Sequence, residues 1–279
     1  MSLNVFYITN RPDVALVAEK YGVNRIWVDL ETLGKQERQG HVDSVKSHHT
    51  IEDIKNIKPL LSSAEMLVRV QPWNDKSEEE IDEVIDAGAD IIMLPMWKSV
   101  NEVNNFLSAV NHRVKTTLLL ETKEAVECVD EILELDFNEI HIGLNDLHLS
   151  YLQTFMFEPL ANGMVEKLCE KFEKKGIPYG FGGIARLGDG LLPAEKIIME
   201  HYRLGSTRAI LSRTFCDSAK IENIEEIDRV FASNMKKFRE FEDEVKLMSK
   251  QAFLDNKAVV VASVDEIVKK IRRSRENNK

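Results

Sequence analysis

The sequence predicts an α/β fold, a (β/α)8 TIM barrel with extra C-terminal helices, and three observations predict it. Eight short apolar β-type runs recur along the chain. Segments with helical periodicity separate them, several ending in Gly just before the next run, the usual helix stop. No GxGxxG follows the first run, which lowers the dinucleotide-binding alternative of an open doubly wound sheet.

The runs, in order, are VFYIT (5–9), RIWVDL (25–30), MLVRVQ (66–71) and DIIMLPM (90–96), then TTLLLE (116–121), EIHIGL (139–144), IPYGFGG (177–183) and RAILSRTF (208–215). They are nearly continuous in apolar character, which suits strands buried on both faces of a parallel sheet. Helical segments between them include DVALVAEKYG, EEEIDEVIDAGA, SVNEVNNFLSAV, KEAVECVDEILEL and MVEKLCEKFEKKG. Two stretches break the rhythm. Residues 31–51 form a long polar loop after the second strand, suited to covering an active site. After Phe215 the chain holds more helix than an eighth barrel unit needs: 221–250 is charged and helical in pattern, 258–262 is a small apolar run and 264–273 is a basic-tipped helix. The last residues, SRENNK, are expected to fray. The division expected is a catalytic barrel over 1–220 and a helical extension over 221–279 that packs on a neighbouring subunit.

At 279 residues the chain fits one barrel of about 250 residues plus that tail. It is 43% hydrophobic and 30% charged, enough to bury a large core. Its net charge of -10 argues against a general nucleic-acid surface, which needs Lys and Arg to neutralise phosphates. No apolar run approaches the roughly 20 residues that span a bilayer, so no membrane contact is expected. Cys128, Cys169 and Cys216 are isolated and odd in number with no CxxC spacing, which argues against a disulfide framework or a zinc site and fits a reducing cytosol. The N-terminus MSLNVFYITNRPD has no signal-peptide features, so a cytoplasmic location is expected.

In a barrel the C-terminal strand ends converge on one mouth. This sequence places Asp29, Glu31, Arg69, Pro95, Glu121, Asn145, Asp146, Gly182, Gly183 and Arg213 there. The fifth and sixth runs each end in a carboxylate, Glu121 and Asp146, and two oxygen ligands at one sheet edge suit a hard divalent cation. The alternative for Glu121 is an ion pair with a neighbouring base. Arg69 alternates with Val68 and Val70 inside a strand, and an inward guanidinium calls for an anion. That anion is a substrate carboxylate or, alternatively, Asp29 or Glu31. The glycine-rich turn at Gly182 and Gly183 could cradle an anion, a weak signal alone. His41, His48 and His49 lie in the polar loop, where one of them is a candidate general base. His141 is expected to be a packed strand residue, and the basic run from Lys269 to Arg275 a solvated helix face.

The pieces GVNRIWVDLE, LVRVQP, GADIIMLPMWKS, LLLETKEAVECVDEIL and IHIGLNDLHLS, from Gly22 to Ser150, resemble the HpcH/HpaI aldolase and citrate lyase β-chain family in order and spacing. The resemblance implies a phosphoenolpyruvate/pyruvate-type barrel using Mg2+ or Mn2+. By motif, Glu121 and Asp146 are its metal ligands, Arg69 holds the substrate carboxylate or enolate oxygen, and Glu31 faces metal-bound water or substrate. It also implies homo-oligomers (dimer, trimer or hexamer) that exchange C-terminal helices. The chain departs from the aldolase branch at Thr32, where that branch has histidine. Lys35 and Arg38 are similar to the basic pair of the citrate lyase branch at different spacing. The expected function is metal-dependent aldol cleavage or formation of a 2-oxo acid. The alternatives are an acyl-CoA lyase of the malyl, citramalyl or citryl type, with Lys35, Lys46, Arg186 and Arg213 as the basic residues near the mouth, and a catalytically silent acid-binding barrel.

Overall fold

All eight apolar runs form strands: β1 (Asn4–Ile8), β2 (Arg25–Asp29), β3 (Glu65–Arg69), β4 (Ile91–Leu94), β5 (Lys115–Leu120), β6 (Glu139–Ile142), β7 (Tyr179–Ile184) and β8 (Arg208–Leu211). In the computed structural model, which describes residues 2–34 and 49–277, they pair in parallel in sequence order. β8 closes on β1, giving a closed barrel. All but β7 stop before the end of their apolar run, so residues such as Leu30, Pro95 and Gly143 already lie beyond the strands at the mouth.

The helices are α1 (Pro12–Lys20), α2 (Ile51–Ile57), α3 (Ser77–Asp86), α4 (Val100–Val110), α5 (Lys123–Glu127), α6 (Val129–Ile132), α7 (Leu144–Ser150), α8 (Glu158–Ala161), α9 (Met164–Lys175), α10 (Ala194–Arg203), α11 (Ile224–Lys246) and α12 (Lys250–Asn277). Local chemistry sets their limits. Thr50 and Ser99 open α2 and α4 with capping boxes to Asp53 and Glu102. Gly176 closes α9 at φ +69°, a conformation that costs glycine least. The helix expected over KEAVECVDEILEL breaks at Cys128 into α5 and α6. At the other end of the chain, α12 runs on through Asn277, so residues 274–277 are helical rather than frayed.

Strand alternation sorts the barrel interior into three layers. Arg25, Trp27 and Asp29 follow one another inward along β2, as Glu65, Leu67 and Arg69 do along β3. The middle layer is apolar: Phe6, Trp27, Leu67, Ile91, Met93 and Leu119 form one buried cluster. Below it, Glu139 accepts two bonds from Arg25, both 2.6 Å, and two from Arg208 at 2.8 and 2.9 Å. Burial pushes the Glu139 pKa up, but the two guanidinium groups outweigh it and hold it at about 2. The charged floor and apolar middle leave one polar opening, at the strand C-termini.

The tail lies on its own barrel. Glu242 of α11, fully buried, accepts from the Leu3 amide at 2.8 Å and the Tyr202 hydroxyl at 2.7 Å. On α12, Asn256 donates to the Lys196 carbonyl at 3.0 Å and to Glu200 at 2.9 Å, and Lys257 pairs with Glu166 at 2.6 Å. No helix among the described residues is long and apolar enough to cross a membrane.

Candidate active site at the barrel mouth

A cavity of about 580 Å³ opens at the mouth. Asp29, Arg69, Glu121, Asn145, Asp146 and Arg213 line it, as do His49, Gly182 and Gly183. Trp27 and Leu119 of the apolar middle layer form part of its floor, and His141 lines it too. These residues come from the ends of six strands; Glu31 and Pro95, also expected at the mouth, are not among the residues lining the cavity.

Glu121 follows β5 directly and is 2% exposed. Its Oε1 accepts from the backbone amide of Met96 at 3.1 Å. Met96 sits at φ +54°, a left-handed backbone rare for a side-chain-bearing residue, which aims that amide. On the other side Gly143 makes the room. A Cβ there would stand 2.6 Å from Glu121 Oε2 and 3.0 Å from its Cβ. Burial raises the Glu121 pKa well above the ordinary carboxylate range, and repulsion from Asp146 and Glu31 adds to it, while Arg69 and the Met96 amide oppose. Three carboxylates, Glu121, Asp146 and Glu31, thus bear on one another at this edge, with Arg69 opposing.

Asp146 corrects its expected position. It does not end a strand: β6 stops at Ile142, and Asp146 stands in the first turn of α7. Gly143 turns the chain there, and an acidic side chain in a first helical turn is favoured by the helix dipole. Asn145 precedes it on the same turn. The turn expected at Gly182 and Gly183 is also different: both lie within β7, with a register shift between Gly180 and Gly183 where β7 meets β8. Gly182 takes φ +55°, and a Cβ there would meet Leu144 Cδ1 at 2.8 Å. These glycines let β7 bulge and α7 approach.

Arg69 shows how its charge is met within the chain. Nε and Nη2 each donate to an Asp29 carboxylate oxygen at 2.8 Å, and Nη2 stands 3.2 Å from Glu31 Oε2. Its guanidinium lies over the Trp27 ring, 5.0 Å from the centroid. Burial lowers the Arg69 pKa, but Asp29 and Glu31 outweigh it and leave it raised. Glu31 is 2% exposed, and its backbone amide donates to Asp29 Oδ1 at 3.2 Å.

Of the three loop histidines, His49 reaches the cavity, where its Nδ1 accepts from the Asp29 amide at 3.0 Å. A backbone N–H only donates, so the neutral ring carries its proton on Nε2. His41 and His48 lie outside the described residues, as do Lys35, Arg38 and Lys46. Arg186 is exposed and pairs with Asp189 at 3.0 Å. His141 is the packed strand residue expected, its Nε2 3.4 Å from the Gly182 carbonyl and its pKa lowered to about 4 by burial. Sequence reasoning missed Gly143, the Met96 amide and Trp27. The alternation of Trp27 with Asp29 was a readable signal for the last.

Among the described residues no group of three or more His, Cys, Asp or Glu side chains stands ready to enclose a metal. Glu121 and Asp146 fit a different kind of site. Mg2+ is commonly held by one or two carboxylates, with substrate and water oxygens completing the shell. The acidic crowding around Glu121 matches that donor set.

A family model described as HpcH/HpaI aldolase/citrate lyase matches residues 3–154. Among solved structures, the chain is similar to an HpcH/HpaI aldolase from Desulfitobacterium hafniense DCB-2, with a TM-score of 0.58 at 17% identity over 86% of this chain and 93% of that one. It is also similar to macrophomate synthase, with a TM-score of 0.54 at 16% identity over 76% of this chain and 77% of that one. At such identities the likeness speaks for the fold. No curated protein matches the chain.

Proposed function

The chain belongs to the HpcH/HpaI aldolase/citrate lyase family, and from that premise we propose a metal-dependent carbon–carbon lyase that cleaves or forms a 2-oxo acid through a pyruvate enolate. The observation that carries the reading is the crowding of Glu121, Asp146 and Glu31 at one buried edge of the barrel mouth, beside Arg69. A buried anionic cluster of this kind is costly unless a cation offsets it.

Glu121 and Asp146 are the residues that would hold Mg2+ or Mn2+. When bound, the ion supplies Lewis-acid stabilisation of the enolate oxygen. The chain's own groups do the rest. Arg69, bound by Asp29 and lying over the Trp27 ring, offers positive charge to the substrate carboxylate. Nε2–H of His49 donates to a substrate oxygen. Because its Nδ1 is engaged by the Asp29 amide, His49 acts as a donor in this arrangement, and the carboxylate of Glu31 is the chain's own candidate proton acceptor. Trp27 and Leu119 keep the floor apolar beneath the methyl end of pyruvate. Asn145, Gly182 and Gly183 complete the substrate-binding wall.

The test is exchange of pyruvate methyl protons with deuterated solvent, followed by NMR with Mg2+ or Mn2+ added. The wild-type protein is expected to exchange them only with metal, and Glu121→Ala to abolish the exchange. A folded sample that exchanges nothing with any divalent ion would sink the enolate reading and favour a silent acid-binding barrel. Stabilisation by acyl-CoA compounds in place of 2-oxo acids in a thermal-shift screen would move the reading to the CoA lyases, with Arg213 among the basic groups lining the cavity.

A further inference from the structure

Glu31 is carried by the segment that leaves β2, and one side chain brackets it. The Oε1 of Gln71 accepts from the Thr32 amide at 2.9 Å and the Leu33 amide at 3.0 Å, and its Nε2 donates to the Leu30 carbonyl. The chain is thus tied immediately before and immediately after Glu31. Gln71 is fixed in turn, because its own backbone amide donates to both carboxylate oxygens of Glu80 on α3, at 3.2 and 3.1 Å. Burial, with Glu83 adding, raises the Glu80 pKa to about 7, and the Gln71 amide opposes that rise.

We propose that Gln71 is a positioning residue for Glu31, anchored by Glu80. Glu31 is buried against Arg69 but also faces the charge of Glu121. Repulsion between those carboxylates favours moving Glu31 outward. Before Glu31 the chain is anchored by buried Leu30, but after it Thr32, Leu33 and Gly34 are all exposed. The three bonds from Gln71 resist that movement. Glutamine suits the task because one planar amide both accepts and donates. Glutamate keeps the acceptor but loses the donor, and alanine loses both.

The inference rests on the enolate reading only in giving Glu31 a substrate to face. Two measurements on the full-length protein therefore separate the two ideas. One is hydrogen exchange of the backbone amides at 31–34, read by mass spectrometry without substrate. The other is Mn2+-dependent pyruvate proton exchange. Gln71→Ala is expected to speed amide exchange in that segment by about tenfold or more. It should lower kcat by about tenfold or more, with KM for pyruvate changed less than about threefold. Gln71→Glu should recover part of both losses. Wild-type protection and wild-type kcat in a folded Gln71→Ala protein would overturn the proposal. So would loosened amides with unchanged kcat, since the clamp would then be structural only. If the wild-type protein exchanges no pyruvate protons, the enolate reading fails by itself. Amide protection then still decides the clamp: its loss in Gln71→Ala supports it and its retention refutes it.

Discussion

Glu121 keeps its place because Gly143 has no side chain. Its backbone at φ -82° suits any residue, so the requirement is space and not conformation. Gly143→Ala is therefore expected to fold normally, with Tm close to wild type, while pushing the Glu121 carboxylate aside. A displacement near 1 Å at a catalytic group costs roughly a hundredfold. Titration calorimetry should accordingly show Mn2+ affinity lowered by about tenfold or more, and wild-type affinity would show that the carboxylate simply swings clear. Glu121 was legible in the sequence because a carboxylate after three leucines has no apolar reason to be there. Arg69 was legible for the same reason, although its two candidate partners stayed open and Asp29 now occupies its fork. Gly143 and the Met96 amide were not legible, since steric room and a left-handed backbone leave no mark in hydrophobic patterning. The role of His49 also needed coordinates, because tautomer follows from the partner of one ring nitrogen.

Among elements, the strands were the most readable part. Their apolar runs are buried on both faces, so period and composition agree along the sheet. Short elements were less so. Asp146 passed for a strand end because GLND continues the apolar run, and only the geometry at Gly143 separates β6 from α7. The bulge in β7 was likewise hidden in a glycine run that reads equally as a turn. The barrel floor gives a test at this scale. Glu139 has a folded-state pKa of about 2 against an ordinary value of 4.5. A lowered carboxylate pKa stabilises the fold above the ordinary value, and that contribution is lost as pH falls through about 2. Acid titration followed by circular dichroism should show wild-type stability declining over that window. Glu139→Gln, which takes the shared carboxylate from Arg208 and leaves Arg25 with Glu65 alone, should be less stable at neutral pH by about 3–5 kcal/mol and flatter across the window. Equal neutral stability of the two proteins would mean the floor relaxes around the loss.

For the whole molecule, the barrel and its long tail were both legible, one from repetition and the other from helix in excess of a barrel's need. The tail's own docking was not, because Asn256, Lys257 and Glu242 find partners far away in sequence. Association through these helices remains our proposal. Leu254, Val259 and Val261 leave α12 with exposed apolar side chains, and sedimentation velocity should report a species heavier than the 31.9 kDa chain. A single species at that mass would dismiss it. The central claim is narrower: Glu121 and Asp146 jointly hold a divalent ion that receives pyruvate. An anomalous-difference map from crystals soaked with Mn2+ and pyruvate tests it most directly. The account predicts a peak in contact with oxygens of both carboxylates, at about 2–2.3 Å as for hard divalent ions, with pyruvate oxygens in the same shell and its carboxylate toward Arg69. Full binding of pyruvate with no peak at these two residues, or a peak elsewhere in the cavity, would contradict it.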